Sequence, residues 1–507
     1  MPLRLLVRGV VLSIVALFAV EACRRQPDSI TIAIPYDVDT LDPHVHDSFG
    51  TMSVLFHLYD ALVATDATMR LRPALALQWE NPDPTTWIFR LRPGVVFHDG
   101  SPFHAADVVA SFERALAEGM EVRTYLLDVA QVRALDDQTV EVRTSYPDQA
   151  FLNGLANVAI TPRGATREAL EASPNGTGPY VPVEWRRSRG IRLRRFDRYW
   201  GERPPFREVA FQLNTPPAEA LNGLLAGRFQ LISDYATAAR LPLGSEGRYQ
   251  ILRAAGLFTV MLDYDLWRDV TPFCDAKRNP FKDSRVRRAM DLAIDRRKLI
   301  AESSVNGWPA AQPVPSFVFG FDPGIGEPSP DPATARALLA DAGFDRGFRV
   351  TLHAPPFHER PAQVVKRQLR EVGIDVDVRV TPPSDYSRLV HGRELSFWVV
   401  SLACATGDAS ELFSNLVHST DARHRWGTWN WNGYANPQLD RAIEESGAIR
   451  DTAGRRTALA RIMRTVVDER IVLPLYLEEH VYATERTLSW HPRYDGFVRA
   501  TEMKSDR

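Results

Sequence analysis

Apolar positions along this chain follow two periods, which take turns from one end to the other. Ser29–Pro35 alternates apolar with polar in the manner of a short strand. The next stretch, 48–62, sets Met52, Leu55, Leu58, Tyr59 and Leu62 on one face at helical spacing. Trp87–Val96 reads as strand, turn and strand about Pro93-Gly94. Ala105–Glu118 reads as a helix with Val108, Val109, Phe112, Ala115 and Leu116 facing inward. Asp107 stands in its first turn, where a carboxylate complements the helix dipole, while His104 is a poor N-cap. Farther along, Asp283-Ser284 opens a helix over Arg285–Ile294, and Asp295 restarts one through Glu302. Pro332 and Gly343 bracket another helix with the usual proline start and glycine stop. Gln363–Val372 is a helix ended by Gly373, and Ile374–Val380 alternates as a strand. Helices over Pro437–Ser446 and Thr452–Glu469 then lead into a strand at Ile471–Leu477. This alternation predicts an α/β fold, and no period of ~20–50 residues supports a repeat architecture.

The length of 507 residues fits roughly two to four domains. Arginines outnumber lysines but are interleaved with Asp and Glu, and the net charge is −2. No basic face for nucleic acid emerges. At the N-terminus, Arg4 and Arg8 precede the apolar run Val10–Val20, broken only by Ser13. That run covers about half the ~20 residues needed to cross a bilayer, so it reads as an export signal. Val20-Glu21-Ala22-Cys23 resembles the bacterial lipoprotein processing site, which implies lipidation of Cys23. Glu21 departs from that pattern, and simple cleavage with secretion is the alternative.

Cys274 and Cys404 leave pairing open, because a disulfide needs a Cα separation that sequence does not supply. Two isolated cysteines, and a His44/His46 pair without further ligands, predict neither a metal nor a cofactor. The chain has no Gly-x-Ser-x-Gly elbow, no His-Glu-x-x-His helix and no Walker lysine. Gly176-Thr177-Gly178 runs into Pro179-Tyr180 and cannot open a phosphate-binding helix. An enzyme is not expected, and any ATPase belongs to a separate subunit.

Several segments, in order, resemble the family-5 extracellular solute-binding proteins, the dipeptide, oligopeptide and nickel binders of ABC importers. They are Leu41-Asp42-Pro43-His44, Arg72-Pro73-Ala74-Leu75-Ala76, Trp87 through Gly100, Asp107 through Arg114, Gly176 through Tyr180, Arg285 through Met290, Ala293 through Arg296, and Gly433 through Pro437. The resemblance implies a periplasmic binding protein type II-like fold of two lobes, with an additional inserted domain and a hinged cleft. The expected division is 1–23 signal and lipidation Cys, 28–62 first segment of lobe I, 63–179 inserted domain, 180–256 second segment of lobe I, 257–477 lobe II, and 478–507 the return to lobe I. It also implies a monomer that delivers a small solute, foremost a short peptide, to a membrane permease, touching the membrane only through its lipid. An opine, an oligosaccharide, a metal chelate, or a signalling role remain alternatives.

By the same resemblance, the loop Cys404, Thr406, Gly407 and Asp408 after the strand Phe397–Leu402 faces the ligand, with Asp408 holding its ammonium. Asp408 equally suits the N-cap of the helical segment that follows. Arg360 is placed to clamp a carboxylate and Tyr36 to line the cleft from the other lobe. Trp429 and Trp431 either wall the pocket or pack on a sheet, and His418 is a helix residue before it is a nickel contact. Leu402 and Ala409 stand where many relatives carry Trp and Pro, so the aromatic platform of a strict dipeptide site is missing.

Overall fold

The structure is a computed structural model that describes residues 28–45, 48–233 and 247–505. The export signal, Cys23 and His46 lie outside the described residues.

An eleven-stranded mixed sheet runs through the molecule. One end is built from Ser29–Ala33, which pairs in parallel with Glu208–Gln212 and Leu231–Ile232, and the sheet continues through Gly190–Arg195 to Tyr180–Arg186. The other end is Phe348–Ala354, parallel to Ile374–Val380 and flanked by Phe397–Ala403. Two long antiparallel strands, Tyr249–Tyr264 and Leu473–Glu485, join the two ends. Their pairing shifts register between Ala255 and Thr259, a bulge that bends the ladder where the two lobes meet. The sequence pattern ended its last strand at Leu477. The strand continues to Glu485, because its second half is held by Tyr249–Ala255, more than 200 positions away.

Each lobe has its own core. Ile30, Leu58, Tyr180, Leu193, Phe211, Tyr482 and Trp490 are buried together in lobe I. In lobe II, Val260, Met290, Leu352, Val365, Phe397 and Tyr476 form one cluster, and Met261, Leu412, Phe413, Leu459 and Met463 form a second. A separate antiparallel sheet, Ala76–Asp83, Thr86–Leu91, Thr139–Thr144 and Val129–Asp136, packs beneath the helix Ala105–Ala115 around Phe89, Phe97, Phe112 and Val140. Burying a Phe or Leu in such a core contributes roughly 1.5–3 kcal/mol. At the start of that helix, the Asp107 carboxylate accepts the His104 N–H at 2.8 Å, offsetting the weak cap. The segment after Gly94 forms a turn with a single bridge, Val96 to Pro102, instead of the second strand the pattern predicted.

At the crossing from the inserted layer into lobe I, the chain lies directly on the end of the helix Phe49–Leu58. A Cβ on Gly176 would sit 2.1 Å from the Leu58 carbonyl oxygen, and one on Gly178 would sit 2.4 Å from the Leu58 carbonyl carbon. Only glycine permits that approach. Cys274 and Cys404 are unpaired thiols, and Cys404 is buried.

Candidate solute-binding site between the inserted layer and lobe II

The strand Phe397–Ala403 delivers the chain into a tight loop that the helix Ala409–Leu412 ends. Gly407 takes φ +71° there, a left-handed conformation that packs against the Met69 side chain of the opposite lobe. The loop is pinned on both sides. Phe319 N–H donates to the Gly407 carbonyl at 2.9 Å, Ala409 N–H donates to the Phe319 carbonyl at 2.8 Å, and the Cys404 thiol donates to the Asp408 carbonyl at 3.1 Å.

Asp408 is 4% exposed, and its carboxylate is fully engaged. It accepts Arg455 Nη1 at 2.5 Å and Nη2 at 3.0 Å, a forked pair with a guanidinium that is itself buried. Its Oδ1 also accepts Ser410 N–H at 3.0 Å and Ser410 Oγ at 2.7 Å, so it caps the helix Ala409–Leu412. Of the two roles the sequence left open for Asp408, the cap is the one formed here. The Arg455 pair is an addition that no local pattern announced.

Beside this loop lies a cavity of about 340 Å³. Thr406, Ser410, Glu411, Trp426, Trp429 and Glu444 form its lobe II wall, and Tyr125, Asp128, Tyr146, Asp148 and Phe151 its inserted-layer wall. The volume falls within the range of small-molecule sites. The two walls touch around it. Asn153 Nδ2 donates to the Thr406 carbonyl at 2.7 Å, the Tyr146 and Trp426 rings meet edge to face at 5.4 Å, and Arg450 donates to the Asn81 carbonyl. Farther round the seam, Phe317 stacks on Tyr494 at 4.2 Å.

The lining is acidic, and its Asp128, Asp148 and Glu411 carboxylates are partly buried. Burial raises the Asp148 carboxyl to about 7; neighbouring Asp128 and Asp408 push the same way, against the Ala150 N–H and Arg455. Burial likewise raises Glu411 to about 7, although its Oε2 accepts both the Thr406 N–H and Oγ1 at 2.8 Å. Asp128, raised by burial, accepts the Tyr146 hydroxyl.

The residues expected from sequence fall in three places. Thr406 lines the cavity, and Cys404, Gly407 and Asp408 form the loop behind it. Tyr36 is 42% exposed just beyond the strand Ser29–Ala33, in lobe I. Arg360 is exposed in the first turn of the helix Glu359–Arg370, close to the exposed Phe357. Trp429 lines the cavity, whereas Trp431 packs on the lobe II core beside His391 at 5.4 Å. His44 is buried, with Nε2 2.8 Å from the Ala159 carbonyl and Nδ1 2.7 Å from Arg114. His418 Nε2 meets Glu444 at 3.2 Å. Among the described residues, no group of three or more His, Cys, Asp or Glu is placed to hold a metal ion. Sequence reasoning missed Asp128, Tyr146, Asp148 and Glu411. The clustering of acids at 128, 148 and 411 becomes visible only when the inserted layer is folded against lobe II.

Two lobes joined by a pair of long strands, a third layer set into the first lobe, and a solute-sized cavity at their seam define a hinged binding protein. The chain belongs to the bacterial extracellular solute-binding proteins, family 5, whose family model matches residues 70–424. It is similar to the glutathione-binding protein GsiB of Pectobacterium atrosepticum, 29% identical over 448 residues that cover 84% of each chain. Among solved structures, it resembles the binding protein AgaA of A. tumefaciens R10 in complex with agropinic acid, with TM-score 0.77, 24% identity, and 94% and 99% of the two chains covered. It also resembles the periplasmic binding protein DppA of Helicobacter pylori in complex with the peptide STSA, with TM-score 0.78, 20% identity, and 96% and 100% covered. No helix among the described residues is long and apolar enough to cross a membrane.

Proposed function

We propose that this protein captures a short peptide or peptide-like solute at the seam beside the loop 404–411 and hands it, chemically unchanged, to an ABC permease driven by separate ATPase subunits. The observation that carries this reading is the cavity itself, formed half by the inserted layer and half by lobe II. A ligand there contacts both halves at once, so it favours the closed arrangement over the open one by its differential contacts. The family supports the reading, as do the peptide in the DppA complex and the glutathione named for GsiB. The expected domain boundaries, with the hinge crossings near 256–257 and 477–478, fit the bulged pair of long strands. The leader before Ser29 supports export with a lipid on Cys23, and a monomer tethered by that lipid alone.

In this reading Asp408 acts through Arg455 as a brace for the loop, while Thr406 and its neighbours meet the solute. Arg360 and Tyr36 remain assigned to the rim of the cleft, as a carboxylate clamp and an aromatic wall. Native mass spectrometry of protein purified without refolding, joined to small-angle scattering before and after solute removal, tests the proposal. A co-purified solute and a radius of gyration that grows on its removal are expected. A protein that never carries solute and never contracts with any peptide overturns it.

A further inference from the structure

The strands of lobe I bring one rim of the sheet to the place where the chain enters the fold. Ser29 pairs with Glu208 and Glu208 with Arg194, while the Arg207 N–H donates to the Asp28 carbonyl at 2.8 Å. On the other side of the first strand, Tyr249 lies opposite Glu485, and the Glu485 N–H donates to the Gln230 carbonyl at 3.3 Å. The Arg486 N–H donates to the Arg248 carbonyl at 2.9 Å. Ser29, Arg228, Gln230, Glu485 and Ser505 line one cavity of about 320 Å³, which ties the two sides together. The long strands run from Tyr264 and Leu473 in lobe II to Tyr249 and Glu485 here, so this rim is the end of lobe I remote from lobe II.

Five exposed arginines, Arg194, Arg207, Arg228, Arg248 and Arg486, stand at these strand ends, against Asp28 and Glu208 as exposed acids. Glu485 is buried and meets Arg248 at 3.5 Å. Among the described residues, Arg194, Arg207, Arg228 and Arg486 form no ion pair, so the rim keeps a positive excess. Its position gives that excess a partner. Cys23 stands five positions before Asp28, with Arg24 and Arg25 between them. An extended chain reaches about 3.3–3.6 Å per residue, so a lipid on Cys23 holds the rim within roughly 17 Å of the headgroups. That is about two screening lengths at physiological salt, close enough for the charges to draw the rim in.

We propose that this rim of lobe I rests on the anionic headgroups of a bilayer, with the guanidiniums of Arg194, Arg207, Arg228 and Arg486 on lipid phosphates. A planar guanidinium suits a phosphate, which accepts two parallel N–H bonds from it. The inference borrows only the lipid on Cys23 from the proposed function, and solute capture does not enter it. Contact at the remote end of lobe I leaves the seam with lobe II uncovered.

The test is sedimentation of the mature chain, beginning at an unlipidated Cys23, with two kinds of vesicle. One is pure phosphatidylcholine and the other contains about 40% phosphatidylglycerol. Binding to the anionic vesicles is expected to be at least ten-fold tighter at ~0.05 M salt, with the difference lost at ~0.5 M. The triple variant Arg194→Glu/Arg207→Glu/Arg228→Glu should bind both vesicles alike and still co-purify with the wild-type solute. A milder triple, with glutamine at the same positions, should lose most of the difference, and it decides the case if the first fails to fold. Arg336→Glu/Arg346→Glu/Arg370→Glu makes the same change of net charge at exposed positions of lobe II, and should keep the preference.

Equal binding of the wild type to both vesicles overturns the inference. So does an undiminished preference in the folded rim variants, or an equal loss in the lobe II variant, which would leave net charge alone as the cause. The mass of the mature protein from cells reports the lipid separately. A bare Cys23 removes the anchor, whereas the rim contact stands or falls by the vesicles.

Discussion

Replacing Asp408 by asparagine separates a brace from a ligand contact. In the native loop its two oxygens receive four donors: both Arg455 Nη atoms, the Ser410 N–H and the Ser410 hydroxyl. Asparagine keeps one acceptor oxygen and turns an NH2 group toward one of the guanidinium nitrogens, donor against donor. Arg455, 5% exposed, is then left charged without its counter-ion. Breaking a buried ion pair on one side costs about 3–5 kcal/mol. For a cooperative unit of ~200 residues, each kcal/mol shifts the midpoint by about 2–4 °C, so lobe II should melt roughly 6–20 °C lower. Arg455→Met strands the Asp408 carboxylate in turn and should cost a comparable amount. The double variant Asp408→Asn/Arg455→Met removes both charges and should recover most of the loss, so the coupling should exceed the cost of Arg455→Met alone. Calorimetric melting of the four proteins gives the cycle, and peptide titration at a temperature where all are folded gives the affinities. Wild-type melting by Asp408→Asn, together with a selective loss of affinity for peptides with a free amino end, would refute the brace and restore the direct contact.

Three further outcomes follow from the same structure. Cys274, partly exposed, should react with a thiol reagent in the native protein. Cys404, buried and pushed well above its ordinary pKa, should react only on unfolding, so two fast thiols in the mature chain would contradict the packing. Gly178→Ala should destabilise the crossing by at least 2–3 kcal/mol, or prevent folding, since a 2.4 Å approach to backbone cannot relax cheaply; a variant of wild-type stability in urea would show that the helix end yields. Asp60 accepts Trp200 Nε1 at 2.8 Å and Thr177 Oγ1 at 3.0 Å, and burial raises it to about 6, so the fold favours its protonated form. Its contribution is therefore full below about pH 4 and lost as pH rises to 6. The stability of wild type minus that of Asp60→Asn should fall by about 2–3 kcal/mol from pH 4 to pH 7 and then level off, and a difference that rises over that range would refute the assignment.

The local grammar of the chain determined a good deal. Ile374–Val380 and Thr452–Glu469 form with the limits their patterns predict, and Asp331-Pro332 and Asp295 start helices as capping residues do. Ordered motifs across the length pointed to the family, because such motifs are short and written in contiguous residues. The loop beside the cavity was legible too, since it is the exit of an apolar strand. Only the tertiary structure decided what that loop does. Asp408 and Arg455 are 47 positions apart, and Asp148 and Glu411 belong to different layers. The long pair Tyr249–Tyr264 with Leu473–Glu485 joins distant parts of the chain. Periodicity reports which face of an element is buried, through neighbours three, four or two residues away. It carries no information about which distant charge will meet that face, and pairing, desolvation and the cavity all depend on that meeting.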